Sequence, residues 1–150
     1  IQRDLAEKSI FEQVRTDQLC VGICRGSQFL CVMTGGKLVQ NVSNHAMFGT
    51  HEIFGITRGD KWEITSTHHQ MQYPFNLKYG EDYTTLYHAS RRSPYYEGDK
   101  VDYPPHEPEI VLYHKKGMPK CLAIQGHPEM MRAEAPVIKM LNRLLDRYVA

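Results

Sequence analysis

The sequence lacks several features that point to particular classes of protein. Its 150 residues contain no apolar run long enough to cross a membrane and no apolar opening stretch typical of a secretory signal. Its 18 basic and 17 acidic residues nearly cancel, so charge favours neither nucleic acid nor an anionic membrane as a partner. With 41% hydrophobic residues, the chain has enough apolar side chains for one core.

Cysteine is also scarce, and the four cysteines form no CxxC pair or metal-knuckle spacing. We therefore expect a reducing, cytoplasmic compartment. Histidine is more frequent, and His68 and His69 with His51 or His45 suggest a zinc site at first sight. These histidines lack the helical i, i+4 spacing and the cysteine partner typical of zinc ligands, which argues against a metal.

Helical and strand patterns alternate along the chain. Residues 3–15, 27–34 and 134–149 have the periodicity of amphipathic or buried helices, the second ending at a pair of glycines. Short apolar or β-branched segments predict strands at residues 19–23, 51–57, 61–67, 83–89, 109–115 and 120–125. The alternation predicts one α/β domain over residues 1–150, with a mixed sheet.

Residues 90–108 separate two of the predicted strands. Their proline, glycine, tyrosine and charged residues argue against a regular element. A loop of this length in a compact domain is either functional or disordered, and the sequence leaves both possibilities open.

A cysteine lies between two glycines in VGICRGSQFL, residues 21–30. Gly22, Cys24 and Gly26 have the G-x-nucleophile-x-G spacing of a tight turn from a strand into a helix, where larger side chains would collide. The turn places the thiol beside the first N–H groups of a helix, which lower a thiol's pKa and attract anions. A buried structural cysteine would need no such glycines. The pattern therefore predicts that Cys24 is a nucleophile.

A second distinctive segment is IQGHPEM, residues 124–130. Pro128 disfavours helical backbone at His127, so the imidazole is expected on an extended loop after the predicted strand at 120–125. Ligand-binding groups of α/β sheets collect at the carboxyl ends of such strands. Glu129 is placed to accept a hydrogen bond from the imidazole and fix its tautomer.

Together these segments resemble the class I glutamine amidotransferases, and within them the peptidase C26 branch that includes the γ-glutamyl hydrolases. The resemblance is carried by GICRGSQ (22–28), GGKLVQ (35–40), STHHQ (66–70) and QGHPE (125–129). It implies a flavodoxin-like three-layer α/β sandwich with a mostly parallel central sheet. The family has an earlier strand whose glycine-rich loop supplies an oxyanion donor, and no such segment is present, so we expect residues 1–150 to be an N-terminally incomplete domain.

The resemblance also implies roles for individual residues. Cys24 is the nucleophile, His127 the acid and base, and Glu129 the carboxylate that orients the imidazole. Arg25, through its backbone N–H, is expected to border the oxyanion. Gln28, the backbone around Ser66 and Thr67, and His69 are expected to border the substrate.

Three functions remain open at this point. The first is a glutaminase that delivers ammonia to a separate synthase or ligase. The second is a free-standing hydrolase of γ-glutamyl amides or peptides, and the third is a non-catalytic binding module. For the two enzymes the substrate is glutamine or a γ-glutamyl amide, handled without a cofactor.

Overall fold

The computed structural model describes residues 1–42, 49–89, 93–94, 96–98 and 101–149. The helices in this part of the chain are α1 (Gln2–Glu12), α2 (Arg25–Thr34) and α3 (Pro136–Val149). The strands are β1 (Leu19–Ile23), β2 (Lys37–Val39), β3 (Asn41–Val42), β4 (Thr50–Gly55), β5 (Lys61–Thr65), β6 (Met71–Tyr73), β7 (Tyr83–Ala89), β8 (Tyr96–Glu97), β9 (Glu107–Tyr113) and β10 (Lys120–Ile124). A 3-10 turn follows β10 at Pro128–Met130.

The central sheet has six strands in the order β1-β10-β9-β7-β4-β5. β1 and β10 are parallel, and every other pair of neighbours in this sheet is antiparallel. Two small ribbons, β2 with β6 and β3 with β8, lie outside it.

Helices cover both faces of the central sheet, which gives three layers. On one face, apolar residues of α3 pack against the sheet in a cluster that includes Val137, Met140, Leu141, Ile110, Leu122 and Ile124. On the other face, α2 and the end of α1 form a cluster that includes Phe11, Leu30, Cys31, Val111, Tyr113 and Ala123. Because side chains alternate along a strand, the neighbouring residues Ile110 and Val111 of β9 belong to opposite clusters.

The α/β class and the three-layer fold predicted from the sequence are confirmed, and the six predicted strands end within two residues of the observed ones. The sheet contains more antiparallel pairing than the resemblance implied. The connections at residues 56–60 and 114–119 join neighbouring strands, and loops this short can only reverse the chain, whereas a parallel pair needs a long crossover.

Helix α1 differs from its predicted amphipathic pattern. Phe11 is its buried residue, whereas Leu5 and Ile10 are 63% and 66% exposed. The apolar spacing predicted the helix correctly, but the one apolar side chain that the helix buries, Phe11, lies in its last turn.

The segment 90–108 is held against the domain where the structure describes it. Tyr96 donates its hydroxyl to Oε1 of the buried Glu107 (2.6 Å), and the backbone N–H of Ser93 donates to the same oxygen (3.2 Å). β8 also pairs with β3, and the carbonyl of Glu97 accepts the N–H of Gln40 (2.6 Å). Residues 90–92, 95, 99 and 100 lie outside the described residues.

The two glycines around Cys24 are expected to tolerate substitution very differently. A Cβ at Gly22 would lie 2.5 Å from the carbonyl carbon of Gly26 and 2.7 Å from Cδ1 of Leu30, whereas a Cβ at Gly26 would meet nothing within 4 Å. We predict that Gly22→Ala lowers the free energy of unfolding by about 1–3 kcal/mol through overpacking. Gly26→Ala should raise it by up to about 1 kcal/mol, because the residue is helical. Urea denaturation checks both values, and equal effects would contradict the close approach at Gly22.

Candidate active site

The carboxyl ends of β1 and β10 meet at one edge of the sheet because these two strands are parallel. Ile23 at the end of β1 is in register with Ile124 at the end of β10. The next residue, Cys24, donates its N–H to the carbonyl of Ile124 (2.7 Å). His127 follows Ile124 by three residues, so Cys24 and His127 lie at the same edge of the sheet.

Cys24 occupies a strained turn between β1 and α2. Its φ of 52° and ψ of −107° lie where non-glycine residues are rarely found. Such strain costs about 1–3 kcal/mol and clusters at functional sites. Gly22 permits the turn because its missing side chain leaves room for the backbone of Gly26. The strand-to-helix turn predicted from the sequence is therefore confirmed.

The thiol of Cys24 is half-buried at the N-terminus of α2. Burial raises its pKa, and the charges of Glu129 and Glu109 raise it further, while a hydrogen bond from the backbone N–H of Arg25 opposes them. The sequence predicts a lowered pKa at a helix N-terminus, and that prediction is wrong for the thiol as it lies here. Loss of hydration and two nearby carboxylates outweigh one N–H dipole.

His127 is fixed at its backbone and at its ring. Its N–H donates to the carbonyl of Thr65 at the end of β5 (2.9 Å). A Cβ at the preceding Gly126 would lie 2.8 Å from that same oxygen, so a glycine lets the two segments approach. Nδ1 of the imidazole lies 2.7 Å from Oε1 of Glu129, which orients the ring. The ring is largely buried and the carboxylate is half-exposed.

No hydrogen bond joins Sγ of Cys24 to the imidazole of His127 among the described residues. Hydrogen bonds between catalytic groups are often long without substrate and shorten when it binds. Cys24, His127 and Glu129 thus lie at one edge of the sheet, and the contact between His127 and Glu129 orients both side chains. The catalytic roles of the three residues stay predictions.

The predicted pocket residues lie on two segments beside the turn. Gln28 is buried on α2, and its side-chain amide donates to the carbonyl of Gln70 (3.0 Å). Ser66 is buried after β5, and its hydroxyl has no hydrogen-bond partner among the described residues. Thr67 is partly buried, whereas His69 is exposed, and the carbonyl of His69 accepts the N–H of Val42 (2.8 Å).

Arg25 has two separate contacts. Its backbone N–H faces the Cys24 sulfur, while its guanidinium turns away to α1. The guanidinium donates to both carboxylate oxygens of Glu7 (2.7 and 2.6 Å) and also contacts Asp4. Arg3 donates to Glu7 as well (2.8 Å), so the charged residues at the start of α1 hold this helix against the first turn of α2.

Sequence reasoning missed a buried polar row beneath the site. Nε2 of His51 on β4 lies 2.8 Å from Oε1 of Glu109 on β9, and both side chains are almost fully buried. The carbonyl of Glu109 accepts the N–H of Gln125, whose own side-chain oxygen accepts the N–H of Gln72 (3.3 Å). The sequence did show polar residues within otherwise apolar strands, which could have indicated buried polar groups. The pairing of His51 with Glu109 could not be predicted in this way, because it depends on the order of the strands in the sheet.

His68, rather than His69, is the buried histidine of the HHQ segment, and its Nδ1 donates to the carbonyl of Gln70 (2.7 Å). In the described ranges, no group of three or more His, Cys, Asp or Glu side chains is placed to hold a metal ion. His45 lies outside those ranges. None of the described helices combines the length and apolar character that a membrane crossing requires.

Two solved structures share the fold of this chain. A protein described as a GMP synthase subunit from Thermoplasma acidophilum superposes with a TM-score of 0.55 and 18% identity, over 86% of this chain and 56% of its own. A glutamine amidotransferase from Thermotoga maritima superposes with a TM-score of 0.55 and 15% identity, over 98% of this chain and 52% of its own. This chain thus spans about half the length of the structures that it matches.

No curated protein sequence matches the chain significantly. The model of the Peptidase C26 family matches residues 1–76, just over half of the chain. The matched region includes the turn at Cys24 and the pocket segment through Gln70, whereas His127 and Glu129 lie beyond it. The resemblance seen in the sequence is confirmed, and the chain belongs to the Peptidase C26 family.

Proposed function

We propose that the protein cleaves the γ-amide of glutamine through a thioester on Cys24 and releases ammonia. One observation carries the proposal: a cysteine in a strained turn at a helix N-terminus lies at the same sheet edge as a histidine whose ring is held by a carboxylate. A nucleophile, a base and a group that orients the base are the parts that acyl transfer requires. The membership of the Peptidase C26 family supports this class of chemistry.

In the first step, His127 takes the proton of the Cys24 thiol as Sγ attacks the γ-carboxamide carbon. A tetrahedral intermediate forms, and its oxygen carries the negative charge. His127 then gives the proton to the amide nitrogen, the C–N bond breaks, and ammonia leaves a glutamyl thioester behind. The raised pKa of Cys24 makes the base essential, because the resting group is a thiol and not a thiolate.

In the second step a water molecule hydrolyses the thioester, and Cys24 becomes the leaving group. His127 takes a proton from the water, which attacks the thioester carbon, and the proton returns to the departing sulfur. Glutamate leaves and the thiol is restored. Glu129 keeps the proton-accepting nitrogen of His127 aimed at the sulfur by binding Nδ1, which leaves Nε2 for the transfer.

The backbone N–H of Arg25 is placed to stabilise the charged oxygen, since it already donates to the Cys24 sulfur. One N–H stabilises an oxyanion only partly. We propose that a second donor comes from a glycine-rich loop outside residues 1–150, whose strand would pair with the free edge of β1. In the described residues β1 pairs with β10 alone, and its Val21 and Ile23 are 42% and 37% exposed.

The substrate's amino-acid end is proposed to lie between α2 and the segment after β5. The unpartnered hydroxyl of buried Ser66 offers one hydrogen bond there, and Gln28 and Thr67 border the same space. The exposed position of His69 suits the rim better than the floor of the pocket. We further propose a synthase or ligase partner that uses the ammonia, in the cytoplasm, with no role for nucleic acid.

A second candidate, hydrolysis of larger γ-glutamyl amides, is favoured by a groove beside the site. The groove has a volume of about 330 Å³ and lies between α1 and α2. The first turn of α2, which follows Cys24, contributes Arg25 and Gln28 to its lining. The other lining residues are Gln70, the charged Asp4 and Lys8, and the apolar Leu5, Phe29, Val32, Met33 and Leu38. An ammonia leaving group needs no such surface, whereas an apolar amine would bury itself there.

Three substitutions test the thioester route. We expect Cys24→Ser and His127→Asn each to lower kcat/KM for glutamine by at least about 10³-fold, and Glu129→Gln by about 10²–10⁴-fold through loss of ring orientation. Ammonia release is the measurement. His114→Asn is the matched control, since His114 contacts Thr84 at the opposite end of the sheet (2.9 Å). Retained turnover in Cys24→Ser with a normal melting temperature would contradict the proposal.

The pH dependence of Cys24 alkylation follows from its raised pKa. The rate with iodoacetamide should rise to a midpoint above about 8.5, the usual value for a thiol. Glu129→Gln removes a charge that raises this pKa, so its midpoint should move to lower pH. Peptide mapping by mass spectrometry follows Cys24, and Glu134→Gln serves as a control with an equal loss of charge. A shift to higher pH would refute the assignment.

The groove is tested by Val32→Glu, which places a charge on its exposed apolar wall. We expect kcat/KM for a γ-glutamyl anilide to fall about tenfold or more, since apolar pocket contacts discriminate by about 10–200-fold, with the value for glutamine unchanged. If both substrates lose equally, the groove does not hold the leaving amine and the glutaminase proposal stands alone.

A further inference from the structure

A cavity of about 480 Å³ lies at the end of the sheet opposite Cys24. The turn between β4 and β5, the start of β7 and the last two turns of α3 surround it. β4 and β7 are antiparallel, and Gly55 at the end of β4 is in register with Tyr87, which locates the cavity away from the carboxyl ends of β1 and β10. Its size is within the range of small-molecule sites, about 300–1,000 Å³.

Three arginines line this cavity: Arg58 from the turn, and Arg143 and Arg147 from α3. Arg143 and Arg147 are four residues apart on one helix face, where like charges repel each other. Arg147 lies in the last helical turn, which a positive charge stabilises, and contacts the ring of Tyr148 (5.9 Å). Arg58 and Arg143 make no hydrogen bond or salt bridge to any described residue.

Asp60 is the one acidic residue in the lining, and its carboxylate is already engaged. Oδ2 accepts the indole N–H of Trp62 (2.7 Å) and the hydroxyl of Tyr87 (2.7 Å). Burial opposes its ionisation, but these two hydrogen bonds and the charge of Arg58 together lower the pKa of Asp60. Three arginines and one ionised carboxylate leave a net charge of +2 around the cavity.

The remaining lining is apolar and aromatic. Leu86, Met140 and Leu144 form apolar walls, and the rings of Trp62 and Tyr148 border the same space. The hydrogen bond from Trp62 to Asp60 fixes the indole plane, so the ring is a ready surface for a flat ligand. A phosphomonoester carries a charge of about −1.5 to −2 at pH 7 with three acceptor oxygens, which matches the excess charge and the forked guanidinium donors.

We propose that this cavity binds a small phosphomonoester with an aromatic body, such as a mononucleotide. The phosphate contacts Arg58, Arg143 and Arg147, and the aromatic ring packs against Trp62 and Tyr148. The site is separate from the thioester chemistry at Cys24, and its occupation holds the β4–β5 turn to the end of α3.

Isothermal titration calorimetry of the purified Cys24→Ser protein tests the proposal without interference from catalysis. The probes are AMP, GMP and phenyl phosphate, with adenosine, phenol and inorganic phosphate as counterparts that lack one half of the ligand. We expect saturable binding, with one site per chain, for at least one aromatic phosphate, and binding at least about tenfold weaker for its counterparts.

The Arg143→Gln and Arg147→Gln double variant should weaken that binding by at least about tenfold, because it removes two charge-assisted contacts. Lys139→Gln is the matched control, since Lys139 is an exposed cation of α3 outside the cavity lining, and its binding should be unchanged. Arg58→Gln, on the other wall, gives an independent check should the double variant fold poorly. Three results would each overturn the proposal: no binding of any aromatic phosphate, equal binding by the arginine variants, or inorganic phosphate binding as tightly as the aromatic phosphate that binds best.

Discussion

The parallel pairing of β1 with β10 is the constraint on which the site depends. These two strands are far apart in the sequence, yet their register places Ile23 beside Ile124 and directs both carboxyl ends to one edge of the sheet. The hydrogen bond from Cys24 to Ile124 then fixes where the strained turn begins. An antiparallel pairing would send His127 to the other end of the domain. The remaining antiparallel strands widen the sheet enough for α2 and α3 to cover its two faces.

Much of this arrangement could be predicted from local patterns. The turn at Cys24 was recognisable because Gly22 is required by a close approach to the backbone of Gly26, only four residues away in the sequence. The contact of His127 with Glu129 is equally local. The short strands β2, β3, β6 and β8 were not predicted, since two or three residues carry too little periodicity. The exposure of Leu5 could not be predicted from the spacing of apolar residues in α1. That spacing shows which residues share a face of the helix, but not whether another element packs against that face.

The electrostatics of the site came from long-range contacts and could not be predicted. Glu109 lies in β9, whose central residues are apolar, and only the order of the strands in the sheet brings it near Cys24 and His51. Burial beside two carboxylates reverses the expectation for a thiol at a helix N-terminus. The consequence for mechanism is specific: the thiol keeps its proton until a base removes it. A resting thiol is also less prone to oxidation and alkylation than a standing thiolate.

The central claim is that a γ-glutamyl group becomes bonded to Cys24 during turnover. Rapid acid quenching of the protein with excess substrate, followed by intact-mass and peptide mass spectrometry, tests it most directly, because acid preserves a thioester. The account predicts a transient mass increase of one γ-glutamyl group on the peptide that contains Cys24. It also predicts that hydroxylamine, which cleaves thioesters, removes this group. Turnover without any adduct on that peptide, or an adduct on another residue, would contradict it.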